Sequence, residues 1–157
     1  MRTRPRLLVV VDAITLLFMV AATGMVFAYA PTEAVMGPVQ KVFYFHVAAG
    51  WLGMLGYATA VLAGIMYLVT KRSSWDLVGQ GSIEIGLAFM LINIITGSIW
   101  ARPIWNTWWT WDPRLTTAAI TELIYIAYFM LRQGLEDPDR RARFGAVYTL
   151  IGAVSVK

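Results

Sequence analysis

Val42-Phe-Tyr-Phe-His46-Val-Ala-Ala-Gly50-Trp-Leu-Gly-Met-Leu-Gly-Tyr-Ala-Thr-Ala-Val-Leu-Ala-Gly-Ile-Met-Tyr-Leu-Val69 contains no Asp, Glu, Lys or Arg. Gly37-Pro38 breaks the chain before it, and Lys71-Arg72 stops it afterwards. At a rise of 1.5 Å per residue, about 20 apolar residues cross a hydrocarbon core of ~30 Å, so this stretch reads as a transmembrane helix. Lipid offers no water to backbone N–H and C=O groups, and a helix satisfies its own. The ten-residue alternation of a membrane barrel is nowhere in the chain.

Working outward, further apolar runs cover about residues 7–30, 83–101 and 115–131, with a polar loop at 133–143. The first of these is a span or signal anchor, too long for the h-region of a cleavable signal peptide. A final apolar stretch, about 145–156, falls short of the ~17 residues that a spanning helix needs. The expected fold is all-α, a polytopic transmembrane helical bundle of four full spans plus a partial fifth, forming one membrane domain over residues 1–157. Composition agrees: 59% of residues are hydrophobic and 14% charged, too apolar a mixture for a soluble domain of this size to bury. Cysteine is absent, which excludes thiol chemistry, Fe–S ligation and covalent haem attachment through this chain.

The net charge of +4 points to topology rather than to nucleic acid, because the basic residues sit between apolar runs. Nine of them (Arg2, Arg4, Arg6, Lys71, Arg72, Arg132, Arg140, Arg141 and Arg143) fall on one side, against Lys41, Arg102 and Arg114 on the other. By the positive-inside rule the N-terminus is cytoplasmic. The segment 102–114 and the start of the second helix then share the external face.

That external segment belongs to a stretch dense in tryptophan: Trp100-Ala-Arg102-Pro-Ile-Trp105-Asn-Thr-Trp108-Trp109-Thr-Trp111-Asp112-Pro113-Arg114. Indoles beside arginines suit a large, flat, apolar ligand with acidic groups, as haem is with its propionates. An interfacial aromatic belt is the plainer alternative, but a belt spreads its aromatics over many helix ends. Arg102 and Arg114 can snorkel to lipid headgroups or pair with a ligand's carboxylates. Asp112-Pro113 has the form of a helix start, Asp at the N-cap and Pro at the first helical position.

The sole histidine, His46, lies at the same face, and a neutral imidazole can ligate haem iron. Ala49, Gly50 and Gly53, at i+3, i+4 and i+7 from it, leave a shallow groove for a flat ligand or for a packed helix. Of the carboxylates in or near the spans, Asp12 and Glu84 lie near cytoplasmic ends. Glu122 is about two turns inside the fourth helix and is expected either to stay uncharged or to pair toward the bundle interior.

Trp105 to Thr116 resembles the tryptophan-rich WWD signature of the haem-handling proteins of cytochrome c biogenesis, and its Arg114-Leu115-Thr116 ending is similar to that of the cytochrome c maturation protein C family (CcmC, haem exporter protein C). The block Met36-Gly37-Pro38-Val39-Gln40-Lys41, continuing to Tyr44, His46 and Val47, resembles the segment around that family's first external haem-ligand histidine. The resemblance implies that haem b is bound transiently at the outer face of the bacterial inner (plasma) membrane and passed to a periplasmic haem chaperone, beside ABC transporter subunits and a small membrane subunit of the maturation complex. It implies His46 as axial iron ligand, with Trp105, Trp108, Trp109, Trp111, Asp112, Arg102 and Arg114 contacting the cofactor. Ala101 and Asn106 stand where the family usually has glycine, and Ala48 where it often has proline. Family members usually have six spans and a second external histidine after the fifth; this sequence ends within its fifth apolar stretch and has no other histidine. The sequence therefore reads as the N-terminal two-thirds of such a protein, its second axial ligand expected from a partner or an exogenous group.

No catalytic constellation is visible, so haem handling rather than catalysis is expected. Two alternatives are a membrane assembly subunit that binds protein partners through its tryptophan segment without haem, and a b-type electron-transfer cytochrome. The second needs two histidines facing across the bundle.

Because the chain lacks cysteine, single cysteines report topology cleanly. In intact cells, an impermeant thiol reagent is expected to label a cysteine at Thr107, and one at Ser73 only after lysis. The reverse pattern would invert the orientation.

Overall fold

The computed structural model describes residues 4–155, so Arg2 of the charge count and Val156 of the last apolar stretch lie outside the described residues. Five α-helices follow in order: α1 (Arg6–Gly24), α2 (Gln40–Thr70), α3 (Ser73–Trp105), α4 (Pro113–Gly134) and α5 (Pro138–Ser155). α1 continues through a π-helical turn, Met25–Tyr29. Four helices are long and apolar enough to cross a membrane: α1 with its π turn, α2, α3 and α4. The all-α polytopic bundle is therefore what this sequence forms.

Helix limits differ from those of the apolar runs where polar residues join a helix. α3 begins at Ser73, ten residues before the apolar run, because its first turns stand against polar partners from α4. It also runs through Arg102 and Pro103 to Trp105, ending at Asn106 with φ of 57°. Most of the expected loop at 133–143 is the start of α5: Asp137 accepts the Asp139 N–H at 3.1 Å, and Pro138 opens the helix. This repeats the Asp-Pro start at 112–113, which seeds α4 as expected, with Asp112 accepting from the N–H groups of Arg114 (2.9 Å) and Leu115 (3.1 Å).

α2 and α3 form an antiparallel hairpin joined through Lys71, whose φ of 55° caps α2. Their seam is made of small residues. A Cβ added at Gly56 would lie 2.8 Å from the Gly86 Cα, so the two backbones touch there and only glycine fits. The glycines at positions 50 and 53 also face α3, toward Asn93 and Met90. The groove beside His46 is thus filled by a packed helix, which settles its two sequence readings in favour of packing. α5 closes on α2 in the same manner, with Ala146 and Thr149 against Gly64.

The buried centre joins Tyr57, Ala60, Ile83, Tyr125 and Tyr128 from α2, α3 and α4. The rings of Tyr57 and Tyr125 stand 4.2 Å apart, and the Tyr57 hydroxyl donates to Glu122 Oε1 at 2.5 Å. Tyr57 is the interior partner of Glu122, one that spacing alone does not reveal. At the other end of α4, Arg132 is buried in a bidentate pair with Asp76 (2.6 and 2.9 Å), donates to Gln80 Oε1 at 3.1 Å, and lies over the Tyr128 ring. α1 stands apart, with none of its residues buried. It is tethered at its C-terminal end, through the π turn, where Lys41 Nζ donates to the Phe27 carbonyl at 3.0 Å and Phe27 meets Phe45.

Removing one member of a buried ion pair strands the other, at a cost of about 3–5 kcal/mol. Arg132→Leu is expected to lower the thermal unfolding midpoint in detergent, followed by circular dichroism. Combining it with Asp76→Leu should recover most of the loss; a double variant as unstable as the sum of the singles would show that the pair does not tie α3 to α4.

Candidate functional site

A cavity of about 270 Å³ opens where the His46 end of α2, the C-terminal end of α3 and the N-terminal end of α4 diverge. α2 contributes His46, and α3 contributes Asn93, Gly97, Trp100 and Trp105, among others. Trp108 and Trp109 come from the connecting segment, while Arg114, Leu115 and Ala118 come from the first turns of α4. The histidine and the tryptophan segment, far apart in sequence, thus wall one space.

His46 is held from both sides. Its Nδ1 lies 2.9 Å from the Asn93 backbone carbonyl, an atom that can only accept, so this contact is a hydrogen bond in the tautomer that carries the proton on Nδ1. The Asn93 side-chain Nδ2 lies 3.1 Å from Nδ1 but makes its better contact with the His46 carbonyl, to which it donates at 2.7 Å. With Nδ1 committed, Nε2 keeps its lone pair and has no hydrogen-bond partner among the described residues. Gly97 provides the slot: a Cβ there would sit 2.8 Å from the imidazole Cε1.

The aromatic wall is continuous with the histidine. Phe43 bridges His46 (6.0 Å between centroids) and Trp100 (5.6 Å), and Trp100 meets Trp105 edge-to-face at 5.1 Å. Trp109 packs edge-to-face on Trp111 at 5.7 Å, but Trp111 is 77% exposed and lies outside the cavity lining. Among the described residues the indole N–H groups of Trp100 and Trp109 are buried without an acceptor.

The charged residues divide. Arg114 lines the cavity with its side chain 80% exposed and its Nε 3.6 Å from Asp112 Oδ1. Arg102 does not line it; its guanidinium donates to the Asn106 carbonyl (2.6 Å) and Oδ1 (2.5 Å), closing the end of α3. Asp112 is also absent from the lining and works as the α4 N-cap. The Thr110 hydroxyl above all, then the N–H groups of Leu115 and Arg114 and the Arg114 guanidinium, hold its carboxyl below the ordinary carboxylate range. Asn93 is not among the sequence candidates, and Trp100 falls within the tryptophan-dense stretch but not among the contacts that the resemblance implies. An asparagine inside an otherwise apolar span is the signal that marks Asn93.

Comparison with known proteins bears on the same region. The family profile described as heme exporter protein C (CcmC) matches residues 1–157. The chain belongs to the heme exporter protein C family. It is 36% identical over 154 residues to the heme exporter protein C of Rhodobacter capsulatus, covering 98% of this chain and 64% of that protein. The Bradyrhizobium diazoefficiens CcmC protein is 36% identical over 129 residues, covering 82% of this chain and 49% of the relative. The Escherichia coli K12 protein is 32% identical over 130 residues, covering 83% and 53%. The chain thus spans about half to just under two-thirds of the length of these curated relatives. It is a multi-pass membrane protein of a family of haem-handling proteins.

Proposed function

We propose that this chain holds haem at the outer face of the bacterial plasma membrane and passes it to a periplasmic haem chaperone during maturation of c-type cytochromes, beside ABC transporter subunits and a small membrane subunit. The observation that carries this reading is the His46 imidazole, fixed through Nδ1 with its Nε2 lone pair uncommitted at a tryptophan-walled cavity. One histidine and no cysteine suit an iron that arrives with four porphyrin nitrogens of its own. His46 is the axial ligand in this reading.

Trp105, Trp108 and Trp109 contact the macrocycle, and Trp111 extends that surface at the rim through its packing on Trp109. Arg114 pairs with a propionate. Arg102 and Asp112 act by shaping the ends of α3 and α4 on either side of the site. The two buried indole N–H groups at the cavity wall are donors that an acceptor-bearing ligand can satisfy after small ring rotations.

Size supports transfer over storage. At about 270 Å³ the cavity is just below the ~300–1,000 Å³ range of pockets that enclose small ligands, so a macrocycle enters by an edge and stays partly outside. Ligands held this way leave readily. A closed bis-histidine site between helices does not permit this.

His46→Ala is expected to lower haem retention by the purified chain more than any other single substitution, measured as pyridine haemochrome yield against the unaltered protein. Equal yields would make His46 a packing histidine and remove the basis of the proposal.

A further inference from the structure

We propose that Asn93 is the positioning residue of the site, setting the His46 tautomer and aiming the ring by clasping α2 and α3 together at that level. Its role toward haem rests on the reading of His46 as axial ligand; its role toward the tautomer does not.

Three contacts carry the inference. The Asn93 backbone carbonyl accepts the Nδ1 proton at 2.9 Å, and its side-chain Nδ2 donates to the His46 carbonyl at 2.7 Å. One residue of α3 therefore grips both the side chain and the main chain of one residue of α2. A carbonyl exposed inside a span otherwise stays bonded within its own helix, so a cross-helix amide donor at this point fixes the register of α2 against α3. The third contact is steric: a Cβ at Gly50 would come 2.8 Å from Asn93 Nδ2, so the glycine is the space in which the amide sits. The Thr96 hydroxyl, which donates to the Ile92 carbonyl at 2.7 Å, lies 3.1 Å from the Asn93 carbonyl and 3.5 Å from Nδ1, which completes the polar nest around that ring edge.

The chemical consequence follows from imidazole itself. In water the neutral ring favours the proton on Nε2, which leaves the wrong nitrogen bare for a ligand in the cavity. Donation from Nδ1 to a fixed carbonyl reverses that preference and makes Nε2 the basic atom. In metal sites, second partners of this kind are worth about 10- to 100-fold in affinity.

A single histidine makes the test direct. The full chain is labelled with 15N-histidine and purified without haem, and its imidazole nitrogens are read by NMR at about pH 8.5, above the usual imidazole titration range. The unaltered chain is expected to show Nδ1 protonated and Nε2 bare. Asn93→Leu keeps the backbone carbonyl and most of the volume but lacks the clasp, and should bring in the Nε2-protonated form. Gly50→Ala, which displaces the amide from the other helix, should do the same; Gly81→Ala, whose added Cβ meets nothing within 4 Å, should not. Haem affinity, titrated on the same proteins, should fall about 10-fold or more in Asn93→Leu and Gly50→Ala, and furthest in His46→Ala.

An unchanged Nδ1-protonated spectrum in Asn93→Leu and Gly50→Ala overturns the positioning role while leaving His46 as ligand intact. Unchanged haem affinity in His46→Ala overturns the ligand reading, and with it any role of Asn93 toward haem, whatever the tautomer.

Discussion

The close approach of α2 and α3 is the constraint on which the rest of the molecule depends. Where Gly56 meets Gly86 the two backbones are in contact, and about two to three turns along the seam the same proximity lets Asn93 reach the His46 carbonyl. Helices in lipid gain little from burying apolar surface against one another, so the seam relies on tight van der Waals contact and a few cross-helix hydrogen bonds. The hairpin then serves as the fixed wall against which α4 and α5 pack. One end of it holds the only imidazole of the chain, and the other holds Asp76, the anchor for Arg132.

From that wall the bundle is tight at the Asp76 end and open at the His46 end. Arg132, Asp76 and Gln80 bind α4 to α3 on one side, and the Tyr57–Glu122 hydrogen bond joins α4 to α2 midway. Above Ala118 the helices part, and the tryptophan segment covers the gap. A site formed by divergence of helices stays open laterally. Such openness suits a chain whose relatives are named as haem exporters.

The membrane helices were legible because length and apolarity suffice to specify a span in lipid, as with residues 42–69. The starts of α3 and α5 were not, since Ser73 to Gln80 and Asp137 to Arg143 are polar turns that hydropathy cannot distinguish from loops. The Asp137-Pro138 start carried the same signal as Asp112-Pro113 and could have been read. His46 and the tryptophans stand out as rare residue types at one face. Asn93 is marked only as an asparagine in an apolar span, and its role comes from register: the antiparallel pairing of α2 and α3 puts it across from His46. Arg102 illustrates the converse, a charge at the right face whose side chain is turned to its own helix end.

Pulsed electron paramagnetic resonance on the ferric haem-loaded chain, prepared with 14N- and 15N-histidine, tests the central claim most directly. With one histidine in the sequence, any change in hyperfine coupling on labelling comes from His46. Binding through Nε2 predicts a strong coupling from a single directly bound histidine nitrogen that changes with the isotope. Identical spectra from the two preparations would mean that His46 does not ligate the iron, and would contradict the account.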